Sequence, residues 1–295
     1  MHTGHRSRLR RGLKPAIAVL AVVGAALGVQ TYRATAGETP AAHSAQQAAP
    51  VDVTAALAAA PAAPKAPPGW TLMWSPEADR DGYKAFEGIE DDRGHGDHGR
   101  THTSIQGNAY RIDMNMNVVD SARDRQRVEV KGMMANGRSL DLTRGQTWRL
   151  SYSMFIPSSL QATTSFTHIM QLKMPGAGSA PILTTSLRLV GKTPMIELNL
   201  FGQGIVARTP LAPLQNTWIT STVEFRIDNK PNGYVAWTLT DSKGATLVNT
   251  RRNGADTFLD IRVRPKWGIY RSLHDKAHLQ NCFLLLTNMR AYKLA

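Results

Sequence analysis

A single cysteine, Cys282, occurs in 295 residues, so no intramolecular disulfide framework can form. That excludes the small disulfide-stapled secreted scaffolds. No unit of about 20 to 50 residues recurs, which excludes solenoids and propellers. Acidic residues are absent from residues 1–36, which carry Arg6, Arg8, Arg10, Arg11, Lys14 and Arg33. No long window sustains a 3.6-residue helical period. The hydrophobic fraction of 42% is nonetheless enough for a globular core, so wholesale disorder is excluded. A formal charge of +13 resembles a nucleic-acid signature, but much of it is misplaced for that. Setting residues 1–36 aside leaves 29 basic against 22 acidic side chains, a balance of +7. Such a moderate excess suits a polyanionic ligand better than dedicated DNA binding, and no nucleic-acid partner is expected.

Residues 1–36 read as an export signal. A basic stretch from Arg6 to Lys14 precedes a small and apolar run of 14 residues, 16–29, and then Ala34-Thr35-Ala36. Basic, apolar and A-x-A in that order is the pattern of a cleavable secretory peptide. The run falls short of the ~20 residues that span a bilayer, so no membrane association is expected after cleavage. Arg10-Arg11-Gly12-Leu13-Lys14 also resembles a twin-arginine signal. Residues 37–68 are rich in Ala, Pro, Gln and Ser, with Pro50, Pro61, Pro64, Pro67 and Pro68 blocking a long helix. They are expected to form a flexible linker, with a transient helical turn or two between Asp52 and Ala60. Residues 69–295 remain as one domain, expected to be secreted to the extracellular space and to act as a monomer.

Period-two alternation dominates this domain. Arg127-Val128-Glu129-Val130-Lys131 alternates charged and apolar residues, and similar patterns recur at 148–154, 196–200, 223–227 and 235–239. Such segments predict strands with one core face and one wet face. Turn signals such as Asn136-Gly137, Asn232-Gly233 and Lys243-Gly244 punctuate them. Residues 220–227 and 234–241, joined by a turn at 229–233, predict a hairpin. The class is all-β, a sandwich of two antiparallel sheets or a jelly roll. Cys282 lies in the apolar run Cys282-Phe283-Leu284-Leu285-Leu286 and reads as a buried structural residue.

Three segments carry candidate chemistry. In 124–131, Arg127, Glu129 and Lys131 share one strand face. In Thr167-His168-Ile169-Met170-Gln171-Leu172-Lys173, parity puts Gln171 and Lys173 on one face and His168 with the core on the other. In Arg264-Pro265-Lys266-Trp267-Gly268-Ile269-Tyr270-Arg271, Lys266, Gly268 and Tyr270 share a face, and Gly268 is expected to leave space for a ligand.

In this order the segments resemble the jelly-roll polysaccharide lyases, which include alginate, glucuronan and heparin-lyase-like enzymes. Alginate lyases carry R-x-E-x-R, Q-I-H and Y-F-K-A-G-x-Y-N-Q strands. Here the corresponding strings are Arg127-Val128-Glu129-Val130-Lys131, Gln171-Leu172-Lys173 and Lys266-Trp267-Gly268-Ile269-Tyr270. Trp218 resembles a Trp that precedes the long hairpin of these proteins. The likeness covers most of the domain and implies a concanavalin-like β-jelly-roll sandwich cutting a uronic-acid polymer by β-elimination. It also departs from the pattern: Lys173 stands at the usual His, and Lys131 at the second Arg.

A uronan lyase must neutralise a carboxylate, remove the proton α to it and protonate the leaving oxygen. Gln171, Arg127 and Lys173 are suitable carboxylate donors. Tyr270 is the candidate acid, with Lys266 and Arg271 near enough in sequence to favour its ionisation. Glu129 and Lys131 complete the expected substrate-binding set. The base is either Tyr270 itself or a histidine from the 93–102 segment, His98 or His102. That Gly-rich segment matches no zinc template, so no metal or cofactor is expected. The expected partner is an anionic polysaccharide. The alternatives are a non-catalytic carbohydrate-binding module and a concanavalin-like glycoside hydrolase. A hydrolase needs paired carboxylates, for which Glu129 and Glu197 are available, but no E-x-D-x-E strand is present.

Overall fold

A computed structural model describes residues 52–63, 65–176 and 178–295. The expected export signal and residues 37–51 of the expected linker lie outside the described residues. Seventeen strands occur among those described. The first nine are β1 (Trp70–Trp74), β2 (Gly88–Asp91), β3 (Thr103–Gln106), β4 (Ala109–Met114), β5 (Arg125–Lys131), β6 (Met134–Ala135), β7 (Arg138–Ser139), β8 (Thr147–Phe155) and β9 (Thr167–Lys173). The rest are β10 (Pro181–Val190), β11 (Thr193–Leu200), β12 (Gly204–Pro210), β13 (Trp218–Arg226), β14 (Tyr234–Asp241), β15 (Thr246–Asn253), β16 (Arg264–Ser272) and β17 (Cys282–Leu294).

Two antiparallel sheets form the sandwich that the alternation predicts. One runs β15-β14-β13-β8-β17-β4-β3, with β1 also paired to β17; the other runs β12-β11-β10-β9-β16-β5-β2. In β13, Ile219, Ser221, Val223 and Phe225 are buried while Thr220, Thr222, Glu224 and Arg226 are half-buried. Strand β14 answers in register, Val223 facing Trp237 and Phe225 facing Val235. The expected hairpin is present. Between the sheets Trp267 stacks on Trp74 at 5.7 Å and meets Tyr152 edge-on at 6.1 Å. Asn136 and Gly137, at φ 52° and 73°, close the β6–β7 hairpin, a turn whose two residues both need positive φ.

Strand β5 departs from simple alternation. It is buried from Gln126 to Val130, and only its end residues are half-buried. Val128 and Val130 belong to the apolar core, but Arg127 and Glu129, on the opposite face, are also buried. The expected wet face of this strand is therefore covered, and charge rather than hydrocarbon covers it.

The linker expectation changes for residues 53–61. A short helix, α1 (Val53–Ala58), starts at Asp52, whose carboxylate accepts from the Thr54 and Ala55 backbone N–H groups. Val53, Ala56, Leu57 and Ala60 pack on Ala109, Phe155, Trp218 and Leu285, an apolar patch on the outer face of the larger sheet. Small alanines let the backbone approach closely. The Trp218 indole N–H donates to the Ala56 carbonyl at 2.5 Å, and the Asn288 amide donates to the Pro61 carbonyl at 2.5 Å. This stretch is a docked strap, not a tether. Removing residues 1–62 is therefore expected to lower the melting temperature by several degrees relative to removing residues 1–46. The lost apolar burial is worth roughly 1–2 kcal/mol, and each kcal/mol shifts a domain of this size by ~2–4 °C. Equal melting temperatures in calorimetry would show that the strap contributes nothing.

Candidate active site

Glu129 sits at the centre of a buried ionic network on the outer face of the smaller sheet. It is 0% exposed, yet it is served by donors from three adjacent strands. On β5, Arg127 Nη1 donates to its Oε2 at 2.8 Å; on β16, Lys266 Nζ donates to the same oxygen at 2.8 Å. On β9, Gln171 Nε2 donates to its Oε1 at 2.6 Å. Glu90 accepts from Lys266 at 2.7 Å, and Asp120 accepts from Arg127 Nε at 3.0 Å. Burial works against the charge on both glutamates, but Lys266 and Arg127 outweigh it, holding Glu129 below the usual carboxylate range and Glu90 at about 2.

Above this network two bulges shift the strand register. Thr185 and Ser186 are consecutive on β10 but face Met170 and His168, so β9 carries one extra residue there. Across the other edge of β9, Met170 faces Trp267 and His168 faces Tyr270, so β16 carries one residue more than β9. Ile169 and Met170 both turn into the core. Gln171 and His168, three positions apart, consequently share the outer face, each beside an outward hydroxyl of β10 (Thr184 and Ser186). Simple alternation had sent His168 to the core. That expectation is overturned, because a bulge inverts parity beyond it.

Gly268 belongs to the same irregularity. It has φ 141°, and a Cβ there would lie 2.2 Å from the Val128 carbonyl oxygen. Its glycine is required by the close approach of β5, not by space for a ligand as expected.

The register builds a transverse row across six strands: Arg127, Tyr270, His168, Ser186, Glu197 and Arg208. Its centre opens into a cleft of about 430 Å³, lined by Arg125, Phe166, His168, Arg188, Glu197 and Tyr270 among others. Tyr270 Oη accepts from Arg125 Nη1 at 2.7 Å, and the Arg127 guanidinium lies 3.6 Å from the ring centroid. The Phe166 ring lies 5.0 Å from those of both His168 and Tyr270, which are themselves 5.8 Å apart. Ser186 Oγ donates to Thr184 Oγ1 at 3.1 Å, which leaves its lone pairs facing His168 Nδ1 at 2.7 Å. That pairing assigns the proton to Nδ1 and leaves a lone pair on Nε2. Burial pushes His168 down to about 4, so the ring is neutral at ordinary pH.

The expected site residues divide. Tyr270, Arg127, Glu129, Gln171 and Lys266 converge on this face. However, Arg127, Glu129, Gln171 and Lys266 are at most 7% exposed and bound to one another, so Glu129 is an internal counter-ion rather than a substrate contact. Lys173 is half-buried and donates to Ser179 Oγ at 2.6 Å; burial, with Lys266 and Arg127 nearby, lowers its pKa. Lys131 reaches Glu90 at 3.3 Å.

Three expectations fail. Arg271 points away from the cleft and is 2% exposed, its guanidinium held by Gln126 Oε1, the Gln280 carbonyl and Cys282 Sγ. Adjacent strand residues face opposite sides, so sequence proximity to Tyr270 was misleading. His102 is buried between Asp91, 2.7 Å from Nδ1, and Asp97, 3.0 Å from Nε2, with both ring nitrogens engaged. Burial disfavours its charge, but the two aspartates raise its pKa and make it a loop clasp, not a free base. His98 is exposed on a turn at φ 54°, and no described contact links it to Tyr270. Cys282 is buried as expected, its thiol pushed up to about 11. Among the described residues no group of three or more His, Cys, Asp or Glu side chains is placed to hold a metal.

Arg125, Ser186 and Arg188 were not singled out from the sequence, and Glu197 was considered only as one half of a hydrolase pair. Arg125 was within reach, since it shares the parity of Arg127 on β5. The others needed the bulged register.

The fold matches the PL-14 alginate lyase from Aplysia kurodai with a TM-score of 0.50 and 14% identity, over 75% of this chain and 98% of that one. It matches the endo-β-1,4-glucuronan lyase from the fungus Trichoderma reesei with a TM-score of 0.50 and 15% identity, over 75% and 95%. The fold is that of the jelly-roll polysaccharide lyases. No family model and no curated protein matches the sequence. At such identities the likeness carries the fold, and the chemistry rests on the residues above.

Removing Glu129 tests the network beneath them. Glu129→Ala leaves Arg127 and Lys266 buried without their shared counter-charge and is expected to cost about 3–5 kcal/mol in urea unfolding. A loss below about 1 kcal/mol would mean the network is solvated rather than buried. Acid should act the same way. Because the folded pKa of Glu90 is depressed from 4.5 to about 2, its contribution is complete above about pH 4.5 and is lost as pH falls toward 2. Stability that stays flat across this window would contradict the assignment.

Proposed function

We propose that the protein is a secreted polysaccharide lyase that cuts a uronic-acid polymer by β-elimination. The observation that carries this reading is the pairing of Tyr270 with a neutral, oriented His168 on the outer face of a lyase-type sheet. Phenol and imidazole line the same cleft with ring centroids 5.8 Å apart, a spacing that suits proton removal and leaving-group protonation at one sugar linkage.

In this reading His168 Nε2 takes the proton α to the uronate carboxylate. The electron pair forms the carbon–carbon double bond, the bond to the 4-linked oxygen breaks, and that oxygen takes the Tyr270 proton. Arg125, already donating to Tyr270 Oη, stabilises the charge that develops there. Ser186 holds the imidazole and fixes its tautomer. Arg188 lines the cleft, and among the described residues its guanidinium has no ion pair; it is available for the substrate carboxylate. Arg127 and Gln171, expected to be the clamp, instead hold Glu129 and keep the floor rigid. The basic balance of residues 37–295 suits an anionic polymer, and the signal-like residues 1–36 suit export.

Tyr270→Phe keeps the ring but deletes the proton-transfer atom, and His168→Ala removes the base. Each is expected to lower kcat by roughly 10²–10⁴-fold, with polymer retention nearly unchanged. The readout is the ultraviolet absorbance of the unsaturated product. Near-wild-type turnover in either variant would remove that residue from the mechanism. New reducing ends without the chromophore would make the protein a hydrolase, and binding without either product a module.

A further inference from the structure

The cleft is chemically uneven along the transverse row. Its β5–β16–β9 end carries Arg125, Tyr270 and His168, whereas its β11 end carries Glu197, Asn199 and Phe201. Glu197 faces Ser186, which faces His168, so Glu197 lies two strand spacings, about 10 Å, from the imidazole-bearing strand position. It is 5% exposed, and its ion pair with the exposed Arg208 is long, at 3.4 Å. Burial holds its carboxyl above the usual range. Asn199 is half-buried and Phe201 is 56% exposed.

These groups fit one kind of sugar and reject another. A buried carboxyl accepts hydrogen bonds from sugar hydroxyls and disfavours a second carboxylate beside it. The Asn199 amide can donate and accept, and an exposed phenyl ring offers a flat apolar face to the C–H side of a pyranose. The uncommitted guanidinium, Arg188, lies on β10, facing Met195 and Thr163 rather than Asn199 or Phe201. Arg188 acts on both His168 and Glu197, so a uronate over His168 can reach it, whereas a uronate moved on to Asn199 and Phe201 would leave it behind and meet the Glu197 carboxyl.

We propose that the β11 end of the cleft is a subsite for an uncharged sugar, so that the polymer cut joins a uronate to neutral residues rather than to further uronates. The assignment rests on the lyase reading for the uronate itself. It adds that Glu197 is a specificity-determining residue, not one half of a hydrolase pair, since Glu129, the partner considered for it, is sealed in the ionic network.

Two polymers separate the outcomes: a homopolyuronate, and one alternating a uronate with an N-acetylhexosamine. Wild-type protein is expected to cut the alternating polymer with kcat/KM at least about tenfold higher, because like-charge juxtaposition is costly in a partly buried site. Glu197→Gln, which keeps shape and hydrogen bonding, is expected to shrink that ratio by about tenfold. A ratio taken within one preparation is insensitive to any loss of folded protein. Equal kcat/KM for the two polymers, or an unchanged ratio in Glu197→Gln, overturns the subsite while leaving the lyase reading intact. If neither polymer yields an unsaturated sugar, the lyase reading fails by itself, and the subsite is judged by retention in native gels cast with each polymer. Stronger retention by the alternating polymer that is lost in Glu197→Gln supports the subsite. Equal retention overturns it.

Discussion

Glu129 draws a donor from each of three adjacent strands: Arg127 on its own strand β5, Lys266 on β16 and Gln171 on β9. A buried carboxylate that lost one of these partners would face a desolvation cost of several kcal/mol, so the three strands are held in a single register. The constraint acts where the sheet is otherwise irregular. On one side of the network β5 and β16 pair without a shift; on the other, β9 and β16 are bulged. The ionic floor fixes the strands, and the bulges then re-aim His168 above it.

From this floor follows the division of labour on the outer face. Residues that the lyase likeness marks for substrate are largely consumed in holding the floor together. In the proposed lyase reading the chemistry passes to groups on the next row: Tyr270 under the two guanidiniums of Arg125 and Arg127, and His168 oriented by Ser186 and Thr184. Preorganisation of this kind costs stability elsewhere, since charged side chains occupy positions that hydrocarbon could fill. The other face of the sheet packs against an apolar core, with the Trp74, Trp267, Tyr152 and Phe86 cluster between the sheets.

Much of the fold was legible in the sequence because alternation reports burial directly wherever a strand has one wet face. The hairpin of β13 and β14 is the clearest example, and the parity of Arg127, Glu129, Lys266 and Tyr270 was readable in the same way. Legibility ended where local rules gave way to pairing between distant strands. Parity cannot see a bulge, so His168 was assigned to the core when it belongs beside Tyr270. Adjacent numbering made Arg271 look like a neighbour of the Tyr270 hydroxyl, although it faces the other side of the strand. The missing histidine at Lys173 directed attention to His98 and His102, and only the three-dimensional partners of His102, Asp91 and Asp97, remove it as a base. Residues 53–61 looked like linker because composition does not show that Trp218 and Phe155 need a cover.

The central claim is that the bulged register presents a neutral imidazole to the cleft, protonated on Nδ1 and free at Nε2. Nitrogen NMR of the protein labelled at histidine measures this directly, with His168→Gln used to assign the signal. The account predicts an Nδ1–H tautomer that persists down to mildly acidic pH and titrates near 4, together with loss of that tautomer preference in Ser186→Ala. An Nε2–H tautomer, or titration at the ordinary histidine value of about 6.5, would contradict it.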